Sequence, residues 1–291
     1  MQADDLLREV RRIQIRTNRM VDEVLGGEYH SAFKGRGLEF AEVRDYVPGD
    51  DIRTIDWNVT ARMGHPYVKR YVEERELTIL LLVDVSDSMS FGNDLRLKRE
   101  SLAEMAALLG FSAIKNNDRI GMIAFSDRII QYVPPRKGVS GVLRMVRDLL
   151  DIRHGGETRI SVVLEHLLAV QKRRAVVFLI SDFHDHDFEQ PLKLAAVKHD
   201  LIPVRIAAEG ELTPPAGRIQ TRPLEGGFPR ILDFSSYRVR ERYRSRLKAH
   251  YRKLDVLFRR QGMDSIEVTA GGDMYRAFRM FFEMRKRRLV R

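Results

Sequence analysis

A run of oxygen-bearing side chains follows a strongly apolar segment of the chain. Asp84, Ser86 and Ser88 come directly after the apolar run 78–83, which predicts a strand buried on both faces. One carboxylate and two hydroxyls make a hard, oxygen-only ligand set that suits Mg²⁺ or Mn²⁺. The spacing therefore indicates a candidate cation site where this strand ends, although the same residues could cap a helix or line an ordinary loop.

Two further oxygen-bearing side chains are expected at the same edge of the sheet. Thr158 ends the tight loop 155–158 before a predicted helix, and Asp182 follows the apolar strand 175–180. In a doubly wound α/β sheet, ligands bind beyond the carboxyl ends of the strands. The Asp-x-Ser-x-Ser spacing alone occurs by chance, but Thr158 and Asp182 in register make the pattern specific. We therefore predict one metal site formed by Asp84, Ser86, Ser88, Thr158 and Asp182.

The elements that must position these residues follow from hydrophobic periodicity. Strands alternate with helices through the middle of the chain, which predicts an α/β fold with a doubly wound, mainly parallel sheet. We expect the first three strands to be buried. The predicted strands cover residues 78–83, 120–125, 129–133, 175–180 and 201–207, and the predicted helices cover 96–115, 139–151, 160–171 and 190–199.

Three regions are predicted along the chain. Residues 1–77 combine an N-terminal helix with a small turn-rich sub-domain, and residues 78–208 form the main α/β domain. Residues 209–291 form a loop, an edge strand at 231–234 and a basic helical extension packed on the main domain.

Helices are predicted at both ends of the chain. The N-terminal helix, residues 4–25, carries apolar residues at three- and four-residue steps, so we expect it to cover the main domain. The C-terminal helices span about 237–261 and 273–287 and are rich in arginine. Arginines alternate from Arg238 to Arg246, and on a helix a period of two spreads them around the cylinder rather than along one stripe. We therefore expect a solvated helix, and nucleic-acid binding is disfavoured.

Composition limits the classes of function. The 291-residue chain has a formal net charge of +10 and no cysteine. That charge fits nucleic acid, an anionic membrane face or an acidic protein partner. The lack of cysteine excludes disulfides, thiolate metal sites and cysteine nucleophiles. No apolar run reaches the roughly 18 residues of a membrane span, and no secretory signal is recognisable, so we expect no membrane span and a cytoplasmic location.

The five oxygen-bearing residues resemble a known metal site. Asp84-x-Ser86-x-Ser88, the later Thr158, and Asp182 after a buried strand are similar to the metal-ion-dependent adhesion site of von Willebrand factor A domains. The resemblance covers the predicted main domain. It implies that the first Asp and the two Ser line the metal, that the Thr reaches it in the ligand-bound form, and that the second Asp often acts through water.

A second resemblance lies mainly in the turn-rich segment before the main domain. The segment is similar to the signature of a bacterial family that is labelled a domain of unknown function, carries von Willebrand A-like domains and is commonly encoded beside MoxR-type AAA+ ATPases. The matching residues are Gly35-x-Gly37-x-Glu39-Phe40, Arg44-x-Tyr46-x-Pro48-Gly49-Asp50-Asp51-x-Arg53-x-Ile55-Asp56-Trp57 and Ala61-Arg62. We expect the charged members to form a hydrogen-bond network around Trp57, which could also serve as a partner surface.

The resemblance implies an adaptor or co-chaperone rather than an enzyme. MoxR-type ATPases are thought to remodel or activate other proteins, and their A-domain companions are regarded as adaptors. The chain would then present a client to the ATPase, and its Mg²⁺ or Mn²⁺ would dock an acidic residue of a partner protein. The phosphate-binding pattern Gly-x-x-x-x-Gly-Lys-Ser/Thr is absent, so we expect no ATP hydrolysis by the chain itself.

Other functions remain open. A metal-dependent hydrolase could use the same five residues, but it would need a base near a metal-bound water. A basic nucleic-acid-binding protein would show affinity that falls steeply with salt. A zinc site at His184 and His186 is the remaining alternative, since alternating residues in a loop can converge on one ion.

Overall fold

The computed structural model describes residues 3–22, 28–33, 39–72, 76–90, 95–153, 155–208, 213–214, 216–221 and 230–289. The helices are α1 Ala3–Met20, α2 Glu28–Phe33, α3 Trp57–Met63, α4 Leu95–Lys115, α5 Val139–Asp151, α6 Ile160–Val170, α7 Glu189–Lys198, α8 Tyr237–Arg260 and α9 Met274–Leu289. The strands are β1 Glu39–Asp45, β2 Tyr67–Val72, β3 Thr78–Asp84, β4 Arg119–Phe125, β5 Ile129–Arg136, β6 Val176–Ser181, β7 Asp200–Ala207, β8 Arg218–Thr221, β9 Arg230–Asp233 and β10 Ile266–Thr269. Gly35 and Gly37 of the sequence motif lie outside the described residues. No helix in the described part of the chain is long and apolar enough to cross a membrane.

A six-stranded sheet forms the centre of the molecule, in the order β10-β7-β6-β3-β4-β5. The β10–β7, β7–β6, β6–β3 and β3–β4 pairings are parallel, and the β4–β5 pairing is antiparallel. The expected α/β class with a mostly parallel central sheet is therefore confirmed. In β3, every residue after Thr78 is buried, and in β6 all six residues are buried. Strands that are covered on both faces show this pattern.

The two faces of this sheet pack against different helices. Because side chains alternate along a strand, Ile79, Leu81 and Val83 join one core cluster, whereas Leu80 and Leu82 join the other. Residues of α1, α2, α4, α5 and α9 belong to the first cluster, and residues of α6, α7 and α8 belong to the second. Helix α1 contacts α4 and α5, as expected of an amphipathic cover helix.

Strand β5 differs from the expectation of a third buried strand. It is the antiparallel edge strand of the sheet, and its burial alternates along the chain. Val133 is buried, whereas Ile130 is 37% and Tyr132 38% exposed. One face of this strand therefore packs on the core, and the other faces solvent.

The C-terminal region contributes a strand that the sequence pattern does not predict. β10 pairs in parallel with β7 and places Ile266 opposite Val204. The predicted edge strand at 231–234 is instead β9, which pairs with β8 in a separate two-stranded sheet. β10 has four residues and two buried apolar side chains, Ile266 and Val268, which is too short a pattern for periodicity to detect.

Helix α8 sorts its alternating arginines onto two sides. Arg238, Arg242 and Arg246 are exposed, whereas Arg240 and Arg244 are half-buried. Residues four positions apart on a helix lie only about 40° apart around its axis. The five arginines therefore form no single stripe, as expected, but the three exposed members share one face.

Candidate metal centre

The last residue of β3 supplies the first carboxylate of the centre. Asp84 lies beside Phe125 of β4 in the sheet register, and its side chain is fully buried. Its Oδ1 atom accepts a hydrogen bond from the backbone N–H of Ser86 at 2.9 Å. Its Oδ2 atom accepts one from the hydroxyl of Ser181, the last residue of β6, at 2.6 Å. The two neighbouring strands thus fix the orientation of this carboxylate.

Three hydroxyl groups meet next to this carboxylate. The Oγ atom of Ser86 lies 2.7 Å from Oγ1 of Thr158 and 3.0 Å from Oγ of Ser88. The Ser88 and Thr158 hydroxyls are 3.1 Å apart. A hydroxyl can both donate and accept, and the three groups form a close triangle of neutral oxygens. Because the Ser88 hydroxyl donates to Asp182, two protons remain for the three edges of the triangle.

The loop that carries Thr158 is tied to the loop after β3 through the backbone. The N–H of Asp87 donates to the carbonyl of Gly156 at 2.9 Å. Gly156 has a φ of +85°, a left-handed conformation that glycine adopts without strain. A Cβ atom at this position would lie 2.8 Å from Oδ1 of Asp127. Glycine at this position therefore accommodates the left-handed backbone and the close approach of the turn after β4, which carries Asp127.

The second carboxylate follows β6, the strand beside β3. The Oδ1 atom of Asp182 accepts hydrogen bonds from the Ser88 hydroxyl at 3.1 Å and from the His184 N–H at 3.2 Å. Its Oδ2 atom is buried and has no hydrogen-bond partner among the described residues. The ammonium nitrogen of Lys98 lies 3.7 Å from that oxygen. A buried oxygen without a hydrogen bond is unusual and indicates a place where a ligand can bind.

All five residues predicted from the sequence are brought together. The triangle joins Ser86, Ser88 and Thr158, while Asp84 bonds to the Ser86 backbone and Asp182 bonds to the Ser88 side chain. Four of the five side chains are buried, and Ser88 is partly exposed. The cluster lies at the carboxyl ends of the adjacent parallel strands β3 and β6, and Ser88 is its most exposed member.

The electrostatics of the centre favour a positive ligand. Burial, and then the negative charge of nearby Asp182, raise the pKa of Asp84 from 3.8 to about 7. Hydrogen bonds from Ser181 and Ser86 oppose this rise. Two carboxylates that are crowded in a buried place are stabilised in their charged form by a cation between them.

The donor set fits one hard divalent cation. Its side-chain atoms are all oxygens, from two carboxylates and three hydroxyls, and such ligands suit Mg²⁺ or Mn²⁺. Within the described ranges, this centre included, no group of three or more His, Asp or Glu residues is placed to hold a metal ion. A centre at this position therefore relies on two carboxylates and on neutral hydroxyls.

The histidines after Asp182 do not converge on a common point. The ring of His184 stacks on that of His250, with centroids 5.5 Å apart. His186 is exposed, and its backbone N–H donates to Oδ1 of Asp185 at 2.7 Å. The zinc alternative at His184 and His186 thus gains no support from the described residues.

Two members of the cluster are missed by the sequence pattern. Ser181 ends an apolar strand and gives no separate signal. Lys98 has a fully buried side chain that donates to the carbonyl of Ser88 at 3.2 Å. A signal for Lys98 does exist, because it stands four and seven positions before Leu102 and Met105 on the apolar face of α4.

A second polar cluster lies in the small sub-domain of β1, β2 and α3. Arg44 donates two hydrogen bonds, at 2.8 and 2.7 Å, to the carboxylate of Asp50, and these lower the pKa of Asp50. Asp56 caps α3 by accepting from two backbone N–H groups. Trp57 is 67% exposed. The charged residues therefore stabilise turns and a helix end, and they do not enclose the tryptophan as expected.

Relatives of the chain are bacterial. An uncharacterized protein of Mycobacterium tuberculosis and one of Mycobacterium bovis are each 29% identical to it over 226 residues, which is 76% of this chain and 71% of each relative. Among solved structures, an aerotolerance-related membrane protein from Bacteroides fragilis aligns with a TM-score of 0.45 and 13% identity over 72% of this chain and 99% of that chain. Proximal thread matrix protein 1 from the mussel byssus aligns with a TM-score of 0.35 and 18% identity over 46% and 38% of the two chains.

A family model covers most of the small sub-domain, five of the six strands of the main sheet, the β8–β9 sheet and most of α8. The model described as protein of unknown function DUF58 matches residues 42–253, and the chain therefore belongs to the DUF58 family.

Proposed function

We propose that the chain is a non-enzymatic, metal-dependent protein-binding module. One Mg²⁺ or Mn²⁺ is held by Asp84, Ser86, Ser88, Thr158 and Asp182. The observation that carries the proposal is the convergence of two buried carboxylates and three hydroxyls through contacts of 2.7–3.1 Å. A bound cation supplies coordination positions that a carboxylate from another protein can occupy.

The charges around the centre favour an acidic partner residue. Two carboxylates balance one divalent cation, and the buried ammonium of Lys98 beside Asp182 adds one further positive charge. The three hydroxyl groups are neutral and remove none of this positive charge. A carboxylate from a partner would therefore meet a net positive centre, and the attraction is strong because the site is largely shielded from water.

We further propose that the domain is von Willebrand factor A-like and acts as an adaptor for a MoxR-type AAA+ ATPase. The mostly parallel sheet, with the five residues at its carboxyl edge, supports the first part. The second part rests on the sequence resemblance of segment 35–62. The exposed Trp57 in that segment is available to a partner, because aromatic side chains supply large contact areas at interfaces.

A pull-down from bacterial lysate tests this function. We expect wild-type protein to retain partners in Mg²⁺ and to lose them in chelator, and we expect Asp84→Ala to behave as the chelated wild type. Glu165→Ala, which removes an exposed carboxylate of α6, is the matched control and should retain the partners. Equal recovery in Mg²⁺ and in chelator would refute the docking role. Turnover of phosphate or peptide esters that Asp84→Ala abolishes would instead favour a hydrolase.

A further inference from the structure

Helix α8 continues past the edge of the sheet on which the proposed metal centre lies. It precedes β10, which runs parallel to β7, so α8 runs from the carboxyl ends of the strands toward their amino ends, and its N-terminus lies at the carboxyl edge. Leu254 and Phe258 are buried in the core. One to two turns earlier, Nε2 of His250 lies 3.1 Å from the carbonyl oxygen of Phe183, just after Asp182. None of residues 237–249 is buried.

These thirteen residues, which we call the α8 overhang, form a braced projection. At 1.5 Å per residue they extend about 20 Å. The ring of Tyr243 packs edge-on against the buried Phe234, with centroids 5.3 Å apart. The guanidinium of Arg240 donates to the carbonyl of Phe234 at 2.7 Å. The segment after β9 therefore holds the overhang in place, and the outward face of the overhang stays accessible.

The outward face of the overhang is strongly basic. Arg238, Arg242 and Arg246 are exposed and four positions apart, so their Cα atoms follow one face in steps of about 6 Å. None of the three forms an ion pair within the part of the chain that is described. The whole of α8 holds ten basic residues against two acidic ones, and it is the main source of the net charge of +10.

The charge around the proposed metal centre is mixed, and the basic excess lies on α8. The β6 side of the centre adjoins the overhang through the ring contact of His184 with His250, but its loop also carries the exposed Asp187. The β4 side carries both signs as well, since Arg159 lies 3.8 Å from the Glu157 carboxylate. A negatively charged segment is therefore attracted most strongly along α8 rather than by either flank of the centre.

We propose that the α8 overhang binds an acidic segment of the same partner protein whose carboxylate docks at the metal centre. This inference rests on the proposed function and adds the chemistry and direction of the partner. An extended peptide places alternate side chains on one side about 6.4–6.8 Å apart, close to the 6 Å steps of the arginines. Asp or Glu at alternate positions can therefore each face one guanidinium, which binds carboxylates in a bidentate manner.

Fluorescence anisotropy with a labelled peptide tests the proposal. The probe is a twelve-residue peptide of alternating Glu and Ser, measured at about 0.15 M salt in Mg²⁺ and in chelator. The test variant is Arg238→Gln/Arg242→Gln/Arg246→Gln. The matched control, Arg276→Gln/Lys286→Gln/Arg287→Gln, makes the same charge change at exposed positions of α9. All six side chains are exposed, so both variants are expected to fold.

We expect the α8 variant to lose about tenfold in affinity, because three exposed ion pairs are each worth roughly a twofold to threefold effect. The loss should appear in Mg²⁺ and in chelator, and the α9 control should bind like the wild type. Equal peptide affinity of the two triple variants would overturn the inference about α8, but it would not contradict the proposed metal centre. If the α8 variant loses affinity but Mg²⁺ does not change the peptide affinity of the wild type, the basic surface is retained and the proposed metal-dependent function is refuted. Stronger binding of a single-stranded oligonucleotide that the peptide cannot displace would overturn the assignment of an acidic protein.

Discussion

The Nζ atom of Lys98 lies 3.7 Å from Oδ2 of Asp182, and neither side chain is exposed to solvent. The other carboxylate of the centre, Asp84, is held instead by a hydroxyl and a backbone N–H. Asp182 thus has a cationic neighbour, whereas the groups that donate hydrogen bonds to Asp84 are neutral. The affinity of the centre for a cation therefore depends on how strongly Lys98 already balances Asp182.

Lys98→Met should make the protein depend more on its cation. Removing one member of a buried ion pair leaves an uncompensated charge and costs about 3 kcal/mol or more. We expect lower stability in chelator and a larger gain on adding Mg²⁺ than in the wild type, because the cation can replace the ammonium. Urea unfolding with and without Mg²⁺ measures both quantities. An Mg²⁺-dependent gain no larger than that of the wild type would contradict the role of Lys98.

Cation binding should strengthen as the pH rises through about 7. The folded-state pKa of Asp84 is raised from 3.8 to about 7, so a proton must leave before a cation can bind. Without cation, the stability that the protonated group contributes is present at low pH and is lost as the pH rises through about 7. Calorimetric titration of Mg²⁺ between about pH 5.5 and 8.5 measures the effect. Asp84→Asn is the control, and a flat affinity in the wild type would argue against Asp84 as a ligand.

Gly156→Ala should weaken both the fold and the metal centre. The residue has a φ of +85°, and its new Cβ atom would lie 2.8 Å from Oδ1 of Asp127. We expect a loss of about 1–3 kcal/mol in the free energy of unfolding, because alanine is strained at this φ. Relief of that strain would move the loop that carries Thr158, so we also expect weaker Mg²⁺ binding. Gly141→Ala in helix α5 has open space around its new Cβ atom. That control should be neutral or stabilising by up to about 1 kcal/mol, and a similar loss at both glycines would contradict the loop argument.

Thr158→Val should impair partner binding more than cation binding. The hydroxyl of Thr158 contacts Ser86 and Ser88, which remain 3.0 Å from each other, so two hydroxyls and both carboxylates stay in place. We expect Mg²⁺ affinity to fall less than about threefold and binding of the acidic peptide to fall about tenfold. Ser88→Ala, which also removes the hydrogen bond to Asp182, should weaken both steps. Equal losses in both steps for Thr158→Val would remove its special role in the bound state.

The sequence predicts the centre well where the pattern is local. Asp84, Ser86 and Ser88 stand directly after one apolar strand, so their convergence needs only the strand end. Asp182 could be placed because parallel strands end at the same edge. Thr158 lies in the loop between α5 and α6, and only its tight loop and the resemblance to the adhesion site indicated its place. Lys98 could not be placed from the sequence, since an isolated lysine on an apolar helix face does not reveal which buried carboxylate it contacts.

The fold shows the same difference between elements that a local pattern predicts and elements that depend on distant contacts. The long buried strands β3 and β6 can be predicted from their continuous apolar composition. β10 carries only two buried apolar residues, and it is recognised as a strand by its pairing with β7. The sequence pattern does not reveal that three arginines of α8 share one face, and the reason is geometric. A period of two spreads neighbouring arginines around a helix, but every second member, four positions on, returns to nearly the same side.

Titration of Mn²⁺, followed by the electron paramagnetic resonance of the free ion, tests the metal centre most directly. We expect one cation per chain for the wild type and for the surface control Glu165→Gln. Asp84→Asn and Asp182→Asn should each bind at least about a hundredfold more weakly, because each removes one of two charged ligands. A wild-type protein that leaves Mn²⁺ free, or an Asp84→Asn variant that binds it as tightly, would contradict a metal centre at the carboxyl edge of β3 and β6.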